Sequence, residues 1–247
     1  MGARDSYPHG TFCWVDLATT DAATAKRFYG ELLGWEALAG DRYAHWVLGG
    51  RDVAGVYELD RVEPRWTSYV AVADADAVVA RTAELGGSVI EPAAGAGGDN
   101  GRRAVLTDPV GATFALWQAG AHPGARLVND LGCWCSNQLQ ARDPAPAVPF
   151  YRDLLGWEVE EEPGSEPPYW HVRAAGRDNG GMLGGEDGPA AWLVYFHVAD
   201  ADATALAVGA AGGAVSFPPT TVGVGRIAVC ADPQGAAFGV FAGRTDP

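Results

Sequence analysis

The sequence predicts an α+β fold of four βαβββ units arranged as two tandem domains. The first observation is a repeat: "FYGELLGWE" at 28–36 returns as "FYRDLLGWE" at 150–158. Similarity at a fixed spacing indicates an internal duplication. The second observation is that two other pairs of segments recur at nearly the same spacing: "YVAVADADA" at 69–77 with "YFHVADADA" at 195–203, and "GRRAVLTDPVGATF" at 101–114 with "GRIAVCADPQGAAF" at 225–238.

The third observation is the order of elements within one copy. "FCWVDL" alternates and is β-rich, which predicts a strand. A helix follows between Asp21, an N-cap candidate, and Gly34, a C-terminal stop. Three short strands come next, and then the order repeats: a strand, a helix capped by Asp74 and stopped by Gly86-Gly87, and three more strands. This order favours sheets with the helices on one face.

The domain boundaries follow from the repeat. We expect a first domain at 1–122, a linker at 123–130 and a second domain at 131–247. The linker region carries Gly and Pro, and each domain has an ordinary size for a folding unit. The Gly-rich segment "AGAGGDNG" at 94–101 leads into a strand and fits a mobile flap or a plain loop.

Composition excludes several classes of protein. The formal net charge of -14, with no cluster of Lys and Arg, disfavours nucleic acid as a partner and is compatible with a neutral or cationic ligand. No apolar run approaches the ~20 residues of a membrane helix, so we expect no membrane association. Four cysteines lie in apolar segments and fit buried side chains in a reducing cytoplasm. A monomer and a homodimer both remain open.

Three motifs carry a resemblance to a known family, and each occurs twice. They are an "FY…LLG" helix (Phe28, Tyr29, Leu33, Gly34; Phe150, Tyr151, Leu155, Gly156), a "V-x-D-x-D-A" helix entry (Val72, Asp74, Asp76; Val198, Asp200, Asp202) and a "D-P-x-G" turn (Asp108, Pro109, Gly111; Asp232, Pro233, Gly235). The chain thereby resembles the vicinal oxygen chelate superfamily of glyoxalase I, bleomycin-resistance proteins and extradiol dioxygenases. The resemblance implies two tandem glyoxalase-like domains, and says little about activity because these motifs form caps, turns and core.

The resemblance also identifies where metal-dependent members hold their ligands. Carried over, those positions are occupied in the first domain by Trp14, Gly55 or Glu58, Thr67 and Ala115, and in the second by Ser136, Gly181 or its neighbours, Leu193 and Gly239. A divalent ion needs three or more His, Asp, Glu or Cys ligands. We therefore expect no metal, and no other cofactor.

The strand period of two predicts which side chains face each cup. The candidate ligand-binding residues are Trp14, Asp16, His45, Trp117, Trp134, Ser136, Gln138, His171, Tyr195 and His197. Asp16 would be costly to bury without a partner. His197 replaces Ala71 of the other copy, so the fold does not require it. The tryptophans also fit ordinary core, and the equivalent His45 and His171 also fit a shared structural role.

Two functions remain open. The preferred one is metal-independent binding, by sequestration or carriage, of a small aromatic or cationic molecule such as a drug or secondary metabolite. The alternative is a cofactor-independent isomerase, cyclase or lyase acting on an aromatic or polyketide-like substrate. Its general base would be Asp16 or His197, and its proton donor Tyr69 or Tyr195. Because the copies differ at most cup positions, we expect two unequal sites.

Overall fold

A computed structural model describes residues 2–40 and 42–245, and in this part of the chain two eight-stranded sheets and four helices are present. This confirms the α+β prediction with four βαβββ units. Each sheet contains the two units of one half of the chain, so the units pair within domains rather than between them. The sequence left this pairing open. Within the same part of the chain, none of the helices has the length and apolarity needed to cross a membrane.

The first sheet has the order β2-β3-β4-β1-β5-β8-β7-β6. At its centre, β1 pairs with β4 in parallel and with β5 antiparallel, while β5 and β8 are parallel. The elements of this domain are β1 (Phe12–Thr19), α1 (Ala22–Leu33), β2 (Glu36–Ala37), β3 (Tyr43–Leu48), β4 (Arg51–Glu58), β5 (Arg65–Ala71), α2 (Ala75–Thr82), β6 (Ser88–Gly95), β7 (Gly101–Thr107) and β8 (Thr113–Ala119).

The second sheet repeats this order as β10-β11-β12-β9-β13-β16-β15-β14. Its elements are β9 (Trp134–Gln140), α3 (Ala147–Leu155), β10 (Glu158–Glu161), β11 (Tyr169–Ala174), β12 (Arg177–Leu183), β13 (Ala191–His197), α4 (Ala201–Ala210), β14 (Ala214–Val222), β15 (Gly225–Ala231) and β16 (Ala237–Gly243). The same sequence pattern thus gives the same topology twice.

The ends of the helices follow the predicted caps with one exception. The Asp21 carboxylate accepts the N–H of Thr24 at 2.9 Å, and Gly34 is left-handed at φ 76° as the end of α1 requires. Helix α2 instead ends at Thr82, before the predicted Gly-Gly stop. Residues 83–86 form a turn that reaches the left-handed Gly86 at φ 91°.

The repeated motifs meet each other across the two domains. The hydroxyl of Tyr29, on α1, donates to Asp232 in the "D-P-x-G" turn of the other domain at 3.3 Å and accepts the indole N–H of Trp66 at 2.9 Å. In the reciprocal arrangement, Tyr151 donates to Asp108 at 2.9 Å. All of these side chains are buried. The repeated "FY" and "D-P-x-G" motifs therefore hold the two domains together.

Candidate functional site

A cavity of about 1280 Å³ opens on the first sheet, and every residue that lines it belongs to the first half of the chain. This volume exceeds the roughly 300–1,000 Å³ of common small-molecule sites. The inner wall includes Trp14, Asp16, Tyr43, His45, Tyr57, Tyr69, Trp117 and His122, and the outer part includes Lys26, Arg42, Glu58, Arg65, Glu91, Asn100 and Arg103. We call this cavity the first cup.

Asp16 is the buried polar centre of the first cup, with 1% of its surface exposed. Its Oδ2 accepts the hydroxyl of Tyr69 at 2.6 Å and that of Tyr43 at 3.2 Å. Each hydroxyl itself accepts an N–H, from Arg103 Nε at 2.9 Å and from Trp14 Nε1 at 2.7 Å respectively. These donors leave both hydroxyl protons free to point at the carboxylate. The second oxygen, Oδ1, is buried and has no hydrogen-bond partner within residues 2–40 and 42–245.

The protonation of this cluster is shifted by burial. Burial raises the pKa of Asp16 to about 6, although Tyr69, Arg103 and Tyr43 oppose the shift by favouring the carboxylate. Burial, and then the charge of Asp16, raise the pKa of Tyr43 and of Tyr69 well above the ordinary value. The phenols therefore stay protonated at neutral pH, while Asp16 exchanges its proton near pH 6.

An aromatic wall stands beside this cluster. The ring of Trp14 lies 4.7 Å from that of His122 and 5.5 Å from that of His45, and Trp117 donates its indole N–H to the carbonyl of His122 at 2.8 Å. The N–H of Gly124 donates to Nδ1 of His122 at 3.1 Å, which places the proton of the neutral ring on Nε2. Burial lowers the pKa of His122 to about 4, so this ring is uncharged at neutral pH.

His45 is held by a carboxylate at the same wall. Its Nδ1 lies 3.1 Å from Oδ1 of Asp52, and its ring lies 5.0 Å from that of His122. His45 thus lines the first cup together with Asp16. The wall combines flat aromatic rings with few polar groups, an arrangement typical of small-molecule sites.

The residues of the first cup do not fit the metal site of the family. The positions carried over from metal-dependent members hold Trp14, Thr67 and Ala115, none of which supplies a His, Cys or carboxylate ligand. The fourth position is Gly55 or Glu58. A Cβ on Gly55 would lie 1.9 Å from the hydroxyl of Tyr43, which occupies that space. Glu58 is a carboxylate that accepts the backbone N–H of Ala22 at 2.7 Å, and it is the one ligand-type side chain among these four positions. Across the described residues, no group of three or more His, Cys, Asp and Glu side chains is placed to hold a metal.

The equivalent surface of the second domain is built from different groups. Gln138 takes the place of Asp16, and its Oε1 accepts the hydroxyl of Tyr195 at 3.1 Å. The ring of Tyr195 covers Gly239, where an added Cβ would lie 2.3 Å from the ring. Trp134 is buried and donates its indole N–H to the carbonyl of Ser136 at 3.1 Å. This second cup therefore has an uncharged amide where the first has a carboxylate.

Two predicted site residues lie away from the first cup. His197 has Nδ1 2.8 Å from the carbonyl of Asn129 and Nε2 3.1 Å from that of Gly243. It lines a separate groove of about 420 Å³ between α1 and α4. His197 ends β13, where the linker and the end of β16 reach its ring, so a backbone carbonyl lies beside each ring nitrogen. That it contacts a ligand in the second domain stays a prediction. His171 is more than half exposed on β11, and its Nε2 lies 3.4 Å from Glu162.

Several residues of the first cup were missed by the sequence analysis. Arg103 and Lys26 were detectable, since the other copy has Ile227 and Val148 in their places. The same comparison between copies had selected His197. The further missed residues include Arg42, Tyr43, Tyr57, Arg65, Glu91, Asn100 and His122. His122 follows the final strand of its domain, where no periodic pattern marks it.

Comparison with known proteins now identifies the family. Residues 14–117 match the family model of a glyoxalase-like domain, and residues 134–240 match that of the glyoxalase/bleomycin resistance protein/dioxygenase superfamily. The chain belongs to this superfamily, the vicinal oxygen chelate superfamily, as a member with two tandem domains.

Individual relatives are similar over nearly the whole chain. "Putative glyoxylase CFP32" of Mycobacterium tuberculosis is 40% identical, with 98% of each chain covered. "Anthracycline biosynthesis protein DnrV" of Streptomyces peucetius is 32% identical, covering 94% of this chain and 92% of that protein. Among solved structures, a Mn(II)-bound glyoxalase from Novosphingobium aromaticivorans has a TM-score of 0.69 at 19% identity, covering 95% of this chain and 82% of that one. This last similarity concerns the fold alone.

Proposed function

We propose that the first cup binds a polycyclic aromatic, polyketide-like molecule without a protein-bound metal. The observation that carries the proposal is Asp16, a residue of the cavity lining whose Oδ1 atom is buried and unpartnered within the described residues. A buried carboxylate oxygen without a hydrogen bond is costly. A ligand that brings a hydroxyl group to this atom relieves the cost, so Asp16 supplies both affinity and orientation.

The chemical class of the ligand is supported by the wall and by the relatives. Trp14, Trp117 and His122 present flat rings to a cavity large enough for several fused rings. Stacking on such rings stabilises aromatic ligands beyond the area they bury. The similarity to anthracycline biosynthesis proteins of Streptomyces supports a polyketide-like ligand.

The metal-free part of the proposal rests on the donor set at the family's metal positions. Trp14, Thr67 and Ala115 offer no ligand. At the fourth position the hydroxyl of Tyr43 fills the space above Gly55, and the alternative, Glu58, would be a single carboxylate ligand where a divalent ion needs three or more. Mass-spectrometric metal analysis after incubation with Zn²⁺, Ni²⁺, Mn²⁺ and Fe²⁺ should find no tightly held ion. One equivalent per chain would contradict this part of the proposal.

Acid–base catalysis is the second candidate function, and a specific observation favours it. Asp16 has a pKa near 6, and the Tyr69 phenol that donates to it also accepts the N–H of Arg103. A carboxylate that titrates close to neutral pH is suited to general base catalysis. In such an enzyme, Asp16 would take a proton from the bound molecule and return it at another atom. That chemistry corresponds to a cofactor-independent isomerase, cyclase or lyase.

A binding experiment with product analysis tests both candidates. We would titrate a hydroxyanthraquinone against tryptophan fluorescence of the wild-type chain, of Asp16→Asn and of Asp60→Asn, an exposed carboxyl outside the cup used as control. Loss of a hydrogen bond to a charged group predicts about 10- to 100-fold weaker binding for Asp16→Asn. Equal affinity of all three proteins would refute the role of Asp16. Chromatography of the recovered probe then separates a binder, which returns it unchanged, from an enzyme.

A further inference from the structure

The charges that line the first cup differ in sign from the protein as a whole. The chain has a formal net charge of -14. The cavity is nevertheless lined by four cationic side chains and three acidic ones: Lys26, Arg42, Arg65 and Arg103 against Asp16, Glu58 and Glu91. Even with Asp16 ionised, the lining carries a formal excess of one positive charge.

The acidic members are already engaged by the protein. Glu91 pairs with Nη1 of Arg103, and Glu58 accepts the backbone N–H of Ala22 at 2.7 Å at the start of α1. Asp16 lies at the inner end of the cup and receives its two phenol hydrogen bonds. The carboxylates of Glu58 and Glu91 are therefore occupied, and little of their charge is available to a cationic ligand.

The cationic members nearer to solvent are not engaged in the same way. Lys26 is half-buried on α1, Arg42 is exposed just before β3, and neither forms a salt bridge within the described residues. Arg65 is exposed and donates to the backbone carbonyl of Glu63 at 3.3 Å. We call Lys26, Arg42 and Arg65 the cationic rim.

We infer that the ligand of the first cup is an acidic polycyclic aromatic molecule, whose carboxylate or ionised phenol is bound by the cationic rim. This inference rests on the proposed function and specifies its ligand. The carboxylate of Asp16 repels an anion from the inner end of the cup, and the cationic rim attracts it at the outer end. The ring system then lies along the aromatic wall with an uncharged hydroxyl group toward Asp16.

The other copy of the repeat supports a functional origin of these charges. Where the first domain has Lys26, Arg103 and Asp16, the second has Val148, Ile227 and Gln138. The second domain folds into the same sheet without these charges, so the fold does not need them. The charges occur together in the copy that forms the first cup.

A matched pair of probes tests the inference. Anthraquinone-2-carboxylate and the neutral anthraquinone-2-carboxamide have the same rings and differ in charge. The ligand carboxylate would form partly exposed ion pairs with the cationic rim. Together these ion pairs predict about tenfold tighter binding of the carboxylate than of the carboxamide at low salt. The preference should disappear in the triple variant Lys26→Gln/Arg42→Gln/Arg65→Gln and at 1 M salt, where screening acts within about 3 Å. It should persist in Arg51→Gln, an exposed arginine outside the cavity lining.

The outcomes separate this inference from the function on which it rests. If both probes bind equally to the wild-type chain, or if a cationic aminomethyl analogue binds more tightly, the acidic ligand class is wrong while the aromatic cup stands. If the preference survives in the triple variant, the cationic rim is not its source and the inference fails. If neither probe binds, the proposed function fails as well. Circular dichroism of each variant confirms that the fold is retained.

Discussion

Replacing Asp16 by asparagine should stabilise the free protein at neutral pH while it weakens ligand binding. The side chain is 1% exposed, and its burial raises the pKa from the ordinary 3.8 to about 6. A carboxyl group whose pKa is raised by folding contributes its full stability at pH values below its pKa in the unfolded chain. This contribution is lost as the pH rises through the folded pKa of about 6. Asparagine has no charge to bury and is free of this loss.

The magnitude follows from the difference between the two values. The pKa of Asp16 rises from 3.8 to about 6, a difference of about 2.2. A pKa difference of one is worth about 1.4 kcal/mol, so burying the ionised carboxylate lowers the free energy of unfolding by about 3 kcal/mol above pH 7. At pH 4.5 roughly one third of this loss of stability is already present, because the Asp16 carboxyl of the unfolded chain has begun to ionise. Between pH 4.5 and 7.5, the free energy of unfolding of Asp16→Asn should therefore rise by about 2 kcal/mol relative to that of the wild-type chain.

Urea unfolding of both proteins at the two pH values measures this gain. The difference between pH values cancels any constant effect of the amide, and it also cancels the buried Asp108 and Asp232, which are present in both proteins. Asp60→Asn, at an exposed turn, serves as control and should show no such gain. A relative gain below about 0.5 kcal/mol would show that Asp16 is not strained by burial and would refute the reasoning.

Three other predictions concern the cups and the contact between domains. Calorimetric titration should give one ligand per chain, and two identical sites would contradict the difference between the cups. Gly55→Ala should weaken ligand binding by displacing Tyr43, since the new Cβ would lie 1.9 Å from the Tyr43 hydroxyl. The control Gly181→Ala makes the equivalent clash in the second domain and should leave ligand binding intact. Tyr29→Phe removes the hydroxyl bonded to Asp232 and should lower the free energy of unfolding by about 1–3 kcal/mol; an unchanged urea midpoint would contradict that estimate.

The fold could be predicted from the sequence because its signals are local and occur twice. The helix from Asp21 to Gly34 shows both caps and apolar residues at helical spacing, and its buried residues include Phe28 and Tyr29. The pairing of units could not be predicted, because exchange between domains would bury the same apolar faces. The contact of Tyr29 with Asp232 depends on that packing and leaves no local pattern.

The site could be predicted only in part, for a similar reason. Asp16 stood out because an acid in an apolar strand needs an explanation. The bond of His197 to the linker could not be predicted, because a period of two reports the side of a strand and not what contacts its end. His122 was missed because it lines the cup from the segment after β8, and only the folded chain brings that segment to the first strand.

The reciprocal bonds between the "FY" helices and the "D-P-x-G" turns have a consequence for how the two copies can change. Tyr29 depends on Asp232, and Tyr151 on Asp108, so each copy carries half of the other's support. Neither copy can therefore be lost or exchanged alone without exposing the buried face of its partner. The cups lie apart from these bonds, and their residues are free to drift. Such a chain resembles a dimer fused into one polypeptide, in which one half retains a charged cavity while the other half needs only to preserve its contacts.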